Sequence, residues 1–488
     1  MPPAGHVQVK FKSQGLFLNA VTTAPAALGS GRRLTAIIVA CALFMQNLDS
    51  TIVSTALPVM ARAFHADPVH MNVALTSYLF AVAVFVPASG WLADRFGTRT
   101  VFRAAIALFT FGSVLCGRAD SLGFLVFARV LQGMGGAMML PVGRLVLLRS
   151  VPKSQLIAAM TWVTIPALVG PVIGPPVGGF IVTYFSWRWI FDINLPIGVL
   201  GFILVSLFIV DIREPTPGRF DFLGLALSGA ALGFFMAMLE FAGRGLVPVA
   251  AVIGMGLAAV AAGLAYGLRA RTQARPLLDF SLMRLPTFAV SVIAGSFFRV
   301  GIGAVPFLLP LMIQIGFGRN AAQSGLITFA SALGAIGMKP VTSMMLRRFG
   351  FRATLVVNAA ASAALLGCYA AFRPGWPVAA IYAVLLLNGF LRSLQFTAYN
   401  SIAYADVPPA RMSAATTLYS VLQQVSLTVG IPISAAVLQM ARVAGGHAVP
   451  QTADFTMAFL VVAGIAALAC PASLLMPKEA GREMSGAR

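Results

Sequence analysis

The chain is 488 residues long, 59% hydrophobic and only 10% charged, with a mean hydropathy of +0.89. A soluble chain carries about 25% charged residues, so this one has too little polar surface to cover a water-facing globule, and lipid is the natural solvent for most of its side chains. The formal net charge of +20 does not mark a nucleic-acid binder, because the arginines sit singly or in small groups between apolar runs and form no basic face.

Residues 1–33 read as a cytoplasmic tail. Their only apolar piece, Leu16 to Leu28, is broken by Pro25 and followed by Arg32 and Arg33 without a cleavage pattern, so it is no secretory signal. A membrane-crossing helix needs about 20 apolar residues. Fourteen such runs follow in order: 34–58, 71–94, 100–117, 122–148, 156–184, 188–212, 220–243, 246–268, 287–313, 322–346, 353–372, 376–402, 411–441 and 455–476. The connections leave no room for a soluble domain, and the runs lack the polar faces of buried soluble helices. The expected fold class is therefore an all-α polytopic membrane protein. Of the 34 Lys and Arg residues, 22 fall in segments on the side of the N-terminus, seven on the other side, and five (Arg129, Arg144, Arg299, Lys339 and Arg392) within spans. Positive charge stays on the cytoplasmic side, which places both termini, including the C-terminal tail 477–488, inside.

Two turns repeat one another. Arg95-Phe96-Gly97-Thr98-Arg99 follows span 2, and Arg348-Phe349-Gly350-Phe351-Arg352 follows span 10. Span 10 is the second helix of a second half if spans 7 and 8 are an insertion. The layout is then a six-helix bundle over 34–212, two inserted spans with their linker over 213–286, and a second six-helix bundle over 287–476, two parallel repeats of the kind found in secondary transporters.

Several motifs run along this frame: LDSTIVSTALP (48–58), GWLADRFGTR (90–99), RVLQGMGGAMMLP (129–141), GPVIGPPVGG (170–179), WRWIFDINLPIG (187–198) and RPLLDFSLMRLPTF (275–288). In this order they resemble the major facilitator superfamily, and within it the fourteen-span drug:proton antiporter group, from about Leu34 to Met476. Ser54, Thr98 and Asp192 depart from residues usual at their positions. The resemblance implies a major facilitator fold of two six-helix bundles plus two inserted helices, a gating latch at Gly90, Asp94, Arg95, Gly97 and Arg99 that holds the outward-open state, and an exporter motif at Gly170, Pro171, Gly174, Pro175, Gly178 and Gly179. Small residues there permit close helix contact, and prolines bend the helix.

A charge at the centre of a span costs about 2.5–3.5 kcal/mol on insertion scales, so embedded charges are candidate functional groups. Asp49 is the mid-span carboxylate of spans 1 to 5 and the first candidate for proton coupling; a fixed pair with Arg129 is the alternative. In the second half Arg299 and Arg392 sit mid-span and Lys339 lies two turns from the inner end of span 10. If, as the resemblance implies, the first and fourth helices of each half border one central cavity, Asp49, Arg129, Arg299 and Arg392 gather around it, and a cavity so rich in cations suits an organic anion. Backbone-bonded arginines and a snorkelling Lys339 are the structural alternative. Glu240, near the outer end of span 7, is read as snorkelling to water, and Asp192 as snorkelling or lining an outer vestibule.

No G-x-x-x-x-G-K-[ST] occurs and the chain has five lysines, which excludes a nucleotide-driven pump. A membrane enzyme is disfavoured by the lack of HExxH and of any embedded histidine. The four cysteines, Cys41, Cys116, Cys368 and Cys470, lie in apolar stretches without CxxC, so no disulfide, metal or cofactor is expected. The reading is a monomeric secondary transporter of the inner membrane with a small-molecule substrate, protons and the lipid bilayer as partners. It exports drugs or small organic compounds against protons, or alternatively an organic anion such as a di- or tricarboxylate.

Overall fold

The computed structural model describes residues 30–150, 156–213, 220–242, 247–273, 276–408 and 411–481; the N-terminal tail through residue 29 and residues 482–488 lie outside them. All regular structure among the described residues is helical. The first helices are α1 (Ser30–Ala63), α2 (Val73–Phe96), α3 (Thr98–Gly117), α4 (Leu122–Ser150), α5 (Leu156–Tyr184), α6 (Trp189–Asp192) and α7 (Asn194–Phe208). Then come α8 (Phe222–Phe241) and α9 (Val249–Thr272), and finally α10 (Pro286–Leu311), α11 (Ala321–Cys368), α12 (Val378–Ile402), α13 (Met412–Ala444), α14 (Thr452–Ala467) and α15 (Ala469–Leu474). The short α6 joins α7 in one crossing, α11 makes two, and α14 with α15 makes one, so the described residues make fourteen crossings. Thirteen of these apolar spans are 20 to 31 residues long, about 30 Å or more at 1.5 Å per residue. Burying every backbone N–H and C=O inside the helix is what allows these segments to sit in hydrocarbon.

The span limits differ from expectation at α1, which runs on through Pro58 to Ala63. They differ again at α11, where the expected loop 347–352 shrinks to a single non-helical residue. Gly350 takes φ 71°, ψ 171° there, and Gly97 in the matching turn takes φ 95°, ψ 145°. Both lie in a region essentially closed to side chains, so each basic-Phe-Gly turn reverses the chain at its glycine.

Two groups of helices pack internally. In the first, α1 lies on α5, α4 and α7, and α4 on α2 and α3; in the second, α10 lies on α13, α14 and α15, and α11 on α12 and α14. The pair α8 and α9 pack on each other, with α8 also touching α2 and α13. Only 11% of the most apolar window of each is buried, leaving Leu257, Leu264 and Leu268 exposed to lipid. Asp221 caps α8 and pairs with Arg269 of α9 at 2.7 Å, pinning this hairpin at one end. The linker beyond α9 is clasped in turn: Asp279 pairs with Arg411, just before α13, at 2.5 Å. Burial opposes ionisation of Asp279, but hydrogen bonds from Ser281 and Arg411 outweigh it and hold its carboxyl below the usual range.

We term the side on which α1 begins the tail face and the opposite side the distal face. The two groups meet through α2 against α13 and α5 against α11, and their tightest contacts lie towards the distal face. Arg442 pairs with Asp67 at 2.5 Å, Gln314 Nε2 donates to the Thr55 carbonyl at 3.0 Å, and the Ala322 N–H donates to Thr183 Oγ1 at 3.0 Å. One apolar cluster there joins Ile52 and Val53 to Val305, Leu308 and Ile327. Towards the tail face, Gly90 and Gly337 have no neighbouring atom within 4 Å of where a Cβ would stand.

The two turn glycines differ in surroundings. A methyl at Gly97 would run into the Asp211 carboxylate, whereas one at Gly350 meets nothing within 4 Å. Gly350→Ala is expected to cost about 1–3 kcal/mol from backbone strain alone, and Gly97→Ala more than that. Thermal unfolding of the two purified variants checks the order.

Candidate functional site

Asp49 of α1 and Arg129 of α4 are both fully buried and paired at 2.6 Å. Arg129 Nη1 also donates to Gln132 Oε1 at 2.6 Å, and its Nε donates to the Ala74 carbonyl at 2.9 Å. The second carboxylate oxygen of Asp49 accepts from Gln132 Nε2 at 2.8 Å and from Asn194 Nδ2 at 3.0 Å. Asn194 also donates to Ser113 Oγ, which donates to the Phe191 carbonyl. The guanidinium lies 4.4 Å from the centroid of the Tyr78 ring, a cation–π contact. Four crossings are thus tied to one carboxylate–guanidinium pair. A protonated Asp49 would present an O–H where Arg129, Gln132 and Asn194 all donate, so adding a proton requires the shell to rearrange.

The other embedded cations stand apart from this cluster. Arg299 of α10 donates to Asn400 Oδ1 at 3.2 Å and to the Tyr419 hydroxyl, lies over the rings of Tyr419 and Phe396, and is 1% exposed. Lys339 is exposed and donates to Thr397 Oγ1 at 3.1 Å. Arg392 is half-buried on α12. Among the described residues, Arg299, Arg392 and Lys339 make no hydrogen bond or ion pair with Asp49 or Arg129. Asp49 and Arg129 are sealed against each other because that pairing offsets the desolvation of both, and neutral donors and acceptors fill most of their shell, while Arg129 Nη2 has no hydrogen-bond partner among the described residues.

Around the α2–α3 turn, Thr98 and Asp211 do the fastening. The Thr98 N–H donates to the Ile212 carbonyl, Thr98 Oγ1 accepts from the Ile212 N–H, and Asp211 Oδ1 accepts from the Arg99 N–H at 3.1 Å. Thr98 thus explains its own departure from a basic residue. Asp94 is half-buried, Arg95 exposed and Arg99 half-buried. Among the described residues, no atom stands within 4 Å of where a Cβ at Gly90 would be.

GPVIGPPVGG forms two adjoining seams. Gly170, Gly174 and Gly178, spaced four apart, line one face of α5 against α1: a Cβ at 170 would stand 3.0 Å from the Leu48 N, one at 174 would strike Thr51 Oγ1, and one at 178 would be 2.6 Å from Thr55 Oγ1. One position on, Gly179 abuts the Ala321 carbonyl, and Gly325 of α11 abuts the Pro175 carbonyl. The Pro171 side chain lies outside the described residues.

Two further carboxylates have partners. Glu240 does not snorkel: Asn72 Nδ2 donates to its Oε2 at 3.1 Å, drawing it to the buried start of α2. Asp192 pairs with Arg118 at 3.6 Å at the distal end of the first group. Sequence reading also missed partners. Gln132 had a signal, since it stands three residues after Arg129 on the same helix face. Asn194, Tyr419 and Asp211 come from distant segments and had none.

Removing one member of the sealed pair strands the other in hydrocarbon, which costs about 3–5 kcal/mol. Asp49→Asn and Arg129→Gln are each expected to lose stability on this scale, and the double variant less than the sum of the two. A double-mutant cycle on unfolding of the purified proteins measures the coupling.

Comparison with known proteins follows the same lines. The Major Facilitator Superfamily family model matches residues 39–431 and 291–487. The chain is 42% identical over 407 residues to the "Putative multidrug resistance protein MdtD" of Klebsiella pneumoniae (strain 342), covering 82% of this chain and 85% of that one. It is 40% identical over 408 residues to the protein of the same name from Pectobacterium carotovorum subsp. carotovorum (strain PC1), covering 83% and 86%. Among solved structures, the nucleoside transporter NupG superposes with a TM-score of 0.65 at 13% identity, over 91% of this chain and 100% of that one. A D-xylose-proton symporter does so with a TM-score of 0.63 at 15% identity, over 91% and 97%. With its fourteen crossings, paired turns and glycine seams, the chain belongs to the major facilitator superfamily: it is a multi-pass membrane transporter, not an enzyme.

Proposed function

We propose that the chain is a proton-coupled exporter of drugs or other small organic compounds, a monomer in the inner membrane with its tail face in the cytoplasm. The observation that carries this reading is the closed donor shell around Asp49. Because every neighbour of that carboxylate donates, a proton arriving there displaces Arg129 or its companions, and α1 and α4 are freed to move together. The relatives named for multidrug resistance support export of drugs, and the excess of basic residues on the tail side supports the orientation. The helices divide as a bundle over 34–212, an inserted pair with its linker over 213–286 and a second bundle over 287–476. In this assignment the distal seam is the outer gate, closed here by Arg442–Asp67, and the tail face is the open, inward side. The Asp94–Arg95 turn closes that side in the opposite, outward-open state.

An organic anion is the second reading. What favours it is Arg299, whose hydrogen-bond partners among the described residues, Asn400 and Tyr419, are both neutral, so its positive charge is left for a substrate.

Inverted vesicles carrying a proton gradient separate the two readings. Gradient-driven uptake of a cationic dye without uptake of di- or tricarboxylates is the expected result. Carboxylate uptake lost in Arg299→Gln would establish the second reading, and neither activity would refute both. Asp49→Asn is expected to abolish gradient-driven uptake while correctly folded protein still exchanges dye across the membrane; full gradient-driven uptake by this variant removes Asp49 from the coupling role.

The two gates give opposite expectations. Asp67→Asn loses a charge-assisted contact of about 1.5–3 kcal/mol from the present state and raises cysteine labelling at the distal face. Asp94→Asn lowers it. Labelling that moves the same way in both variants contradicts the assignment.

A further inference from the structure

Arg299 carries a full positive charge inside the second group, only 1% exposed, and among the described residues no carboxylate pairs with it. Its hydrogen-bond partners, Asn400 and the Tyr419 hydroxyl, are both neutral. The rings of Phe396 and Tyr419 lie 5.5 and 4.9 Å from its Cζ and offset part of the charge. They do not cancel it. A buried ion left without a counter-charge is strongly destabilising.

The side chain lies along one ridge of α10. Thr287, Ser291, Gly295 and Arg299 follow at four-residue spacing, each about one turn beyond the last. Long helical side chains lean towards the N-terminus, and this guanidinium does so: a Cβ at Gly295 would stand 2.6 Å from Nη1 and 3.2 Å from Cζ. The missing side chain at 295 lets Arg299 fold back over that turn, and Ser291 is the next residue on the ridge. Two donors here are unanswered. Arg299 Nε and Ser291 Oγ, the latter on a residue with no exposed surface, have no hydrogen-bond partner among the described residues. Hydroxyls within a helix ordinarily back-bond to a carbonyl one turn earlier, as Thr342 does to Met338 and Thr354 to Gly350. The carboxylate that meets this ridge, Asp406, is held by Thr287 Oγ1 at 2.8 Å. Thr287 lies about 18 Å of helix away from Arg299, too far to serve as its counter-charge.

We propose that Arg299 holds a single-atom monovalent anion, chloride, as a resident counter-ion, with Arg299 Nε and Ser291 Oγ donating to it. Buried N–H and O–H donors beside a fixed positive charge call for a negatively charged acceptor. One atom accepts from any direction and asks for little room, and its single charge matches that of the guanidinium. With chloride in place, a cationic compound meets no uncompensated charge at Arg299. The site shares this residue with the organic-anion reading but requires no anion to be transported, and it is independent of Asp49.

The test is equilibrium dialysis of the purified full chain in phosphatidylcholine nanodiscs against radiolabelled chloride, in gluconate buffer at neutral pH. The wild-type chain is expected to bind chloride saturably, with half-saturation below about 100 mM, and to unfold at a higher temperature when chloride replaces gluconate. Arg299→Gln should weaken binding about ten- to hundred-fold and lose the thermal shift. Ser291→Ala removes one donor and should weaken binding about two- to ten-fold. Absence of saturable chloride binding to the wild type, or binding unchanged in Arg299→Gln, overturns the proposal. Should Arg299→Gln fail to fold, unchanged affinity in Ser291→Ala overturns it instead. Chloride binding without carboxylate uptake in the vesicles keeps this proposal and removes the organic-anion reading. Carboxylate uptake without chloride binding does the reverse.

Discussion

Two opposite charges far from water have no better partner than each other, and the first group of helices is arranged around that fact. Asp49 and Arg129 lie 80 positions apart in the chain and meet with no exposed surface. Once they have met, most of the remaining lone pairs and N–H groups are answered locally, by Gln132 from the same helix as Arg129, Asn194 from α7 and the Ala74 carbonyl from the start of α2. The result is a polar knot inside an apolar bundle. Such a knot is poor as a source of net stability, because desolvation consumes much of the attraction, but it fixes which helix faces meet. A bundle held only by apolar contact in lipid has little to set its register, since lipid tails are as apolar as leucine.

Close backbone contact does the rest, and it recurs in both groups. Gly170, Gly174 and Gly178 seat α5 on α1, and in the second group Gly303 of α10 abuts the Leu427 carbonyl while Gly430 of α13 abuts the Val300 carbonyl. Gly334 of α11 and Gly389 of α12 form a reciprocal pair against Leu386 and Ser331. These seams need no burial of apolar surface from water. They work because a missing side chain lets two backbones come within van der Waals distance, and they leave no projecting group to obstruct sliding.

The fold was legible because hydrocarbon imposes a length and a composition on each crossing, and those are properties of contiguous residues. The repeated basic-Phe-Gly turn was legible for the same reason: Gly97 and Gly350 take positive φ within motifs that can be read directly. What could not be read was any bond between distant segments. Glu240 looked like an interfacial residue by its place near a helix end, yet Asn72, 168 positions away, holds it. Arg299 looked like a free cation because its neighbours in sequence are apolar, whereas Tyr419 and Asn400 reach it from two other helices. Embedded charge is conspicuous in a membrane sequence; the neutral groups that answer it are not.

The tethers on either side of α8 and α9 have a mechanical consequence. Asp211, just before the pair, is bonded to the α2–α3 turn of the first group, and Asp279, just after it, is clasped to Arg411 at the start of α13 in the second. Asp221 and Arg269 lock the two helices to each other at the tail face. The hairpin is therefore strung between the two groups like a link in a chain. If the groups swing relative to one another, neither end of the link can follow both, and α8 has to slip along the surfaces of α2 and α13. The reach of this link then sets a limit on the angular travel of the transporter.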